Sequence, residues 1–120
     1  MKVQFQNAGF LVSDEMPHFG VSLDGISDEY VLEIKCPAKE RTKVNYIKKG
    51  RIVPKVWAQI QLSMLLFKKK KGVLPLADPG FTTNWKIGLF YDTFDDDFLR
   101  EVCTKAEEYW YETIFPLLIK

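Results

Sequence analysis

The chain is short of the residues on which several common chemistries depend. Its one histidine is His18, and its two cysteines, Cys36 and Cys103, lie far apart. Ser-His-Asp or Cys-His catalysis would have a single candidate base and no convincing nucleophile beside it. No C-x-x-C or His/Cys spacing suits zinc or an iron–sulfur cluster, and two cysteines make no disulfide framework. No apolar run approaches the roughly 18 residues of a membrane span, and no charged-then-apolar leader is visible. The expectation is an intracellular, reduced protein with no membrane partner. Net charge is also scarce, at +1 over 120 residues, so the total does not announce a polyanion ligand.

What is present is uneven. Between positions 35 and 71 stand Lys35, Lys39, Arg41, Lys43, Lys48, Lys49, Arg51, Lys55 and Lys68 to Lys71, against Glu40 alone. The acids gather toward the two ends. A neutral total with a basic middle suits a protein that meets a polyanion on one face, although a solvated lysine-rich surface would look the same. An apolar fraction of 47% and a length of 120 residues are enough for one domain with its own core.

Local patterns predict the order β-β-β-α-β-α. Residues 9–12 and 18–22 read as short strands, with Asp24-Gly25 as the turn leading to a third strand over 29–36 that Pro37 stops. Residues 38–51 are basic and without period, a loop or a loop with a short helix. Val56, Ile60, Met64 and Phe67 recur at helical spacing after Pro54, a first-turn proline, and Gly72 is expected to close that helix with Lys68 to Lys71 near its negative end. Residues 73–84 read as a Pro/Gly loop, 85–92 as a strand with Trp85, Ile87, Leu89 and Tyr91 on one face, and the rest as a long helix. Its acidic start, Asp95 to Asp97, fits capping and the helix dipole rather than a metal site. Phe98, Val102, Ala106, Trp110, Thr113 and Leu117 are its expected buried face, and Pro116 should end or bend it. Together these elements predict one α/β domain with a mixed central sheet.

The unusual feature is the third strand, "YVLEIKC". Glu33 and Lys35 interrupt an apolar run where Val, Ile or Thr would serve folding better. Side chains alternate along a strand, so both charges share one face, Ile34 points into the core from the other, and Cys36 is a small core residue. Asp24 lies in the preceding turn, and the antiparallel return brings it toward Glu33. Two converging carboxylates, with the Ile34 carbonyl between the polar side chains, make a hard oxygen site for Mg²⁺ or Mn²⁺. Lys35 beside it could position or deprotonate a water and offset phosphate charge. Metal-assisted phosphodiester hydrolysis is the chemistry these groups fit. Arg41, Lys43, Lys48 and Lys49 flank the site as candidate phosphate contacts, and Ser22 beside Asp24 is a further one.

With its flanks, "S-x-D-G" at Ser22, Asp24 and Gly25, "E-I-K-C-P" at Glu33 to Pro37, and a helix bearing "QIQLSM" from Gln59, the sequence resembles the PD-(D/E)XK nuclease superfamily. Within it, the likeness is to the phage-type recombination exonucleases that include lambda exonuclease and the YqaJ-type viral recombinases. The "EYWYETIFP" tail is similar to theirs, so the resemblance spans most of the chain. It implies a restriction-endonuclease-like core flanked by helices. It implies Asp24, Glu33 and the Ile34 carbonyl as metal ligands, Lys35 as the catalytic lysine, and Gln59 as a helix residue facing the site. Gln61, turned about 200° from Gln59 on the helix, is the weaker choice. DNA is the implied substrate, with a single-strand annealing protein and further copies of the chain as partners. An exonuclease of recombination or repair is the first expectation; an endonuclease of the same superfamily and a non-catalytic nucleic-acid-binding module are the others. Two departures stand out. Leu23 occupies a place where the family often has proline, and the family's helical region ahead of these strands has only residues 1–8 to correspond to it.

Overall fold

The computed structural model describes residues 4–7, 9–12 and 20–119. Among these described residues, nine strands and the helices follow in this order: β1 (Gln6–Asn7), β2 (Phe10–Val12), β3 (Gly20–Ser22), β4 (Gly25–Ile26), β5 (Tyr30–Leu32), a 3₁₀ helix (Glu40–Asn45), β6 (Ile47–Lys48), β7 (Arg51–Ile52), α1 (Pro54–Leu66), β8 (Lys71–Ala77), α2 (Phe81–Asn84), β9 (Ile87–Thr93) and α3 (Asp96–Tyr109). A π-helical turn, Trp110–Ile114, leads into α4 (Phe115–Leu118). The central sheet is mixed, in the order β1-β4-β5-β8-β9; β5 and β8 run parallel and the other neighbours antiparallel. This is the expected α/β class with a mixed sheet, and α1 is the crossover that joins the parallel pair.

The apolar face of α1 meets the sheet through Val56, Ile60 and Met64, packed with Leu23, Val31 and Leu74. Met64 and Leu74 are wholly buried, so truncating either to alanine would cost about 2–5 kcal/mol. Gly72 lies in β8 where a Cβ would come within 2.6 Å of Ile60 Cγ2, so the glycine sets how closely helix and strand approach. It does not close the helix as expected. Instead α1 ends at Leu66, and Lys68 takes the left-handed conformation, φ 58°, that a C-terminal glycine usually supplies.

The largest difference from the sequence expectation is β8. Residues 73–84 read as a loop because of Pro75 and Asp78-Pro79-Gly80, yet Lys71–Ala77 is an interior strand between β5 and β9, buried from Gly72 to Ala77. Pro75 is accommodated by its place in the ladder. Glu33 N–H donates to the Val73 carbonyl (3.2 Å), Lys35 N–H to the Pro75 carbonyl (3.0 Å), and Ala77 N–H to the Lys35 carbonyl (3.0 Å). The donor that would return a bond to the Glu33 carbonyl is the nitrogen of Pro75, which carries no hydrogen. The regular ladder of β5 therefore stops at Leu32, and Glu33 and Ile34 form an irregular step before Lys35 pairs again with Leu76.

Other corrections follow from tertiary placement. Gly25 is paired with Leu32 inside β4, so the turn falls at Ser27–Tyr30, where Ser27 N–H donates to the Tyr30 carbonyl and Ser27 Oγ accepts from Tyr30 N–H. Ile34 is on the face away from Glu33, but that face is open; Ile34 is 43% exposed, and Ile87, Leu89 and Tyr91 are exposed beside it. Cys36 is exposed as well, not a core residue. On α3 the buried residues are Leu99 and Cys103, whereas Val102 is exposed; the Trp57 and Phe98 rings meet at a 57° tilt with centroids 4.3 Å apart and join α3 to α1. Asp95 caps α3 as expected by accepting from Phe98 N–H. Trp85 precedes β9 rather than belonging to it, and His18 lies outside the described residues. Among the described residues no helix is long and apolar enough to cross a membrane.

Candidate active site

The irregular step at Glu33–Ile34 brings the predicted groups together. Asp24, just ahead of β4, reaches across so that its Oδ2 accepts from Ile34 N–H at 2.8 Å. That bond occupies one carboxylate oxygen with the backbone freed from the ladder, and it holds Asp24 against the segment bearing Glu33. On the α1 side of the sheet, Glu33 is 7% exposed, with Lys35 Nζ 3.3 Å from Oε1. Lys35 also lies over the ring of Tyr46, 5.8 Å from its centroid, within reach of a cation–π attraction.

The second oxygen of Glu33, Oε2, is buried and has no hydrogen-bond partner. Burial raises the Glu33 pKa above its ordinary value; the charge of Asp24 pushes the same way, and Lys35 opposes both. An under-satisfied carboxylate in a protein interior is costly. Here the cost falls on a carboxylate that also feels the charge of Asp24, and a divalent cation would relieve both effects. Among the described residues no three His, Cys, Asp or Glu side chains cluster to hold a metal. Asp24, Glu33 and the Ile34 carbonyl are a sparser set, which suits Mg²⁺: it keeps several waters and needs only one or two carboxylates.

The remaining predicted residues divide. Gln59 is exposed on α1, and its carbonyl accepts from Ser63 Oγ. Gln61 is fully buried and fully engaged: its amide donates to Asp92 Oδ2 (2.9 Å) and the Thr93 carbonyl (2.7 Å), and its side-chain carbonyl accepts from Asp95 N–H (2.8 Å). It ties α1 to the end of β9 and the start of α3. Ser22 is exposed on β3, Arg41 on the 3₁₀ helix, and Lys48 and Lys49 at the β6–β7 turn. Lys43 is not free for phosphate. Its ammonium sits 2.9 Å from Asp78 and 3.1 Å from Glu40, and those bonds raise its pKa. Tyr46 carries this segment to the site, since its N–H donates to the Lys43 carbonyl and its own carbonyl accepts from Val53 N–H.

Sequence reasoning missed Tyr46 and Asp78. Asp78 accepts from Lys43 Nζ, Gly80 N–H and Asn84 Nδ2, which hold its carboxyl well below the usual range. The signal available was the turn "ADPG", where an aspartate bonds its own backbone two residues on. A cavity of about 640 Å³ lined by Trp57, Tyr91 and Phe98 does not include Asp24, Glu33 or Lys35.

No protein-family model matches the chain, and no curated protein does. Solved structures do. An alkaline exonuclease, LHK-Exo, from Laribacter hongkongensis aligns with a TM-score of 0.80 over 92% of this chain and 57% of that chain, at 23% identity. LHK-Exo in complex with dAMP aligns with the same TM-score and identity over 56% of its length. The protein SSO0001 aligns more loosely, with a TM-score of 0.52 at 21% identity over 75% of this chain and 38% of that one. The fold is therefore the nuclease-like α/β fold, and the chain spans little more than half the length of the exonuclease it matches.

Proposed function

We propose that this chain carries the metal-dependent phosphodiesterase centre of a DNA nuclease, most closely an exonuclease acting on duplex ends in recombination or repair. The observation that carries the proposal is Glu33: a buried carboxylate with one oxygen paired to Lys35, the other without a partner, and Asp24 set against the same backbone step. A fold shared with an alkaline exonuclease supports it. Asp24, Glu33 and the Ile34 carbonyl would hold Mg²⁺ or Mn²⁺. Such an ion supplies charge neutralisation at a phosphoryl oxygen and eases deprotonation of water.

This chain's own groups have separate tasks. Glu33 holds Lys35 by an ion pair, and Lys35 orients the attacking water and offsets charge developing on the phosphate. The water oxygen forms the new bond to phosphorus while the bond to the leaving oxygen breaks, and that oxygen ends protonated. Gln59 is assigned to substrate alignment from α1. Arg41, Lys48 and Lys49, exposed on the segment that Tyr46 links to Lys35, are assigned to phosphates of the bound strand. A single-strand annealing protein and further copies of the chain belong to the same proposal as partners, as does membership of the lambda-type or YqaJ-type family.

Degradation of end-labelled linear duplex with Mg²⁺, run beside closed circular DNA, tests the proposal. Lys35→Ala is expected to keep metal and DNA binding while cleavage falls by about 10²–10⁴-fold. Undiminished cleavage would make Lys35 an ordinary surface residue and remove the mechanism. Attack on the closed circle would assign an endonuclease instead. Because the chain spans 57% of LHK-Exo, a non-catalytic nucleic-acid-binding module is the second reading, shown by DNA binding without cleavage in any metal.

A further inference from the structure

On the sheet face that carries Glu33 and Lys35, an open groove of about 750 Å³ runs from the Lys43–Asp78 pair to the β8–β9 turn. Ile47, Leu76 and Phe90 form an apolar floor, with Trp85 and Lys86 at the far rim. Gly88 keeps that floor open, since a Cβ there would come within 3.0 Å of the Phe90 ring. The groove is close to the site by register. The Lys35 carbonyl accepts from Ala77 N–H, Ala77 pairs with Ile87, and Asp78 N–H donates to the Lys86 carbonyl. Lys35 pairs with Leu76 and Leu76 with Gly88 on one face, so two strand spacings, about 10 Å, separate Lys35 from Gly88 in the groove, the length of about three stacked bases.

Trp85 is 74% exposed, so it is not a core residue, and its backbone is left-handed at φ 58°, an uncommon state for a bulky side chain. The turn holds it there. Trp85 N–H donates to the Phe81 carbonyl (2.9 Å), the Phe81 ring meets its indole edge-on at 5.5 Å, and Lys86 N–H donates to Asn84 Oδ1 (2.9 Å). Asp78 fastens the base of the turn through Gly80 and Asn84. Lys43, at the near rim, is neutralised by Asp78 and Glu40. Lys86 is exposed and has no carboxylate partner among the described residues. A braced indole, an apolar floor and one uncommitted cation are the complement of a nucleobase with its phosphate. Bases inside a duplex hide their faces and a blunt end opens only one, whereas an unpaired base can leave the stack and enter the groove against the indole.

We propose that this groove receives an unpaired nucleotide at the end of the DNA substrate, with Trp85 as the stacking platform and Lys86 beside the phosphate. The inference rests on the nuclease reading and adds a preference for frayed or unpaired ends over blunt ones. The test is fluorescence anisotropy with a chelator present, comparing a blunt duplex with one of equal length carrying a three-nucleotide unpaired end. Wild type is expected to bind the unpaired end roughly tenfold more tightly, as base–aromatic stacking allows. Trp85→Ala should bring that ratio close to one, and Trp85→Phe should keep most of it, with far-ultraviolet circular dichroism confirming that each variant is folded. An unchanged ratio in a folded Trp85→Ala protein overturns the inference and leaves the nuclease centre standing. Failure of wild type to bind either duplex overturns the nuclease reading and this inference together. Self-association that vanishes in Trp85→Ala while the ratio persists would assign the groove to a second copy of the chain.

Discussion

Glu33 and Asp78 are carboxylates on adjoining segments of one sheet end, each touched by a lysine, and their pKa values move in opposite directions. Asp78 is surrounded by donors: Lys43 at 2.9 Å, the Gly80 N–H at 3.0 Å and Asn84 at 2.8 Å. Hydrogen bonding to its charged form holds its carboxyl low. Glu33 has Lys35 at 3.3 Å on one oxygen, nothing on the other, and the charge of Asp24 nearby, so burial wins and its pKa rises. A neighbouring lysine therefore does not distinguish a structural carboxylate from a functional one. Completeness of the donor set does. Asp78 spends its capacity on fastening the turn to the 3₁₀ helix, while Glu33 keeps one buried oxygen without a donor, the position the proposed metal would take up.

Three experiments test that contrast. The largest effect is expected at Glu33. Glu33→Gln should abolish Mn²⁺ binding by calorimetric titration, because one carboxylate and one carbonyl leave too few hard ligands. The same variant should melt higher than wild type in the absence of metal. The sign follows from linkage: with its pKa raised on folding, Glu33 keeps its proton in the native state over a range where the unfolded chain has lost it, so stability falls as pH rises through that range. Wild type should recover stability with Mn²⁺, by about 2.7 kcal/mol at a concentration a hundredfold above Kd, and Glu33→Gln should not. Equal Mn²⁺ binding by both proteins would leave Glu33 a merely strained structural residue.

An intermediate effect is expected in the basic segment. Binding to a short duplex should weaken steeply with salt, and glutamine at Arg41, Lys48 and Lys49 should flatten the slope by about 0.9 for each phosphate no longer neutralised. Adding Lys43→Gln should flatten it no further, since that cation is committed to Asp78 and Glu40. A slope that responds to Lys43 alone would reverse the roles assigned to these four residues.

The smallest effect is expected at Asp78. Its lowered pKa contributes stability that is present above the ordinary carboxylate range and lost as pH falls below it. Asp78→Asn should therefore melt slightly lower at neutral pH and lose less stability on acidification, with Mn²⁺ binding intact. Melting curves across the acid range check this. Loss of metal binding in Asp78→Asn would join the two carboxylates into one site and end the contrast.

Several structural features are legible in the sequence because they are local. Alternation puts Glu33 and Lys35 on one face whatever surrounds them, and the spacing Val56, Ile60, Met64 shows the buried stripe of α1. Asp95 announces the cap of α3 by its position alone. These features depend on residues a few positions apart, where backbone geometry decides which side chains meet. What the tertiary structure decided involves partners tens of residues away. Pro75 can occupy a central strand because its missing hydrogen falls opposite the Glu33 carbonyl, a matter of register between β5 and β8. Whether Glu33 is buried depends on α1 covering that face of the sheet, and whether Ile34 is exposed depends on the bareness of the other. Gln61 and Gln59 are indistinguishable in sequence chemistry, yet one is consumed by Asp92, Thr93 and Asp95 and the other faces solvent. Lys43 likewise looked like its basic neighbours until the fold brought Asp78 to it. Residue order alone sets which polar groups share a strand face or a helix stripe; which of them already have partners depends on the assembled sheet, because hydrogen-bond partners and solvent exclusion are properties of packing rather than of local order.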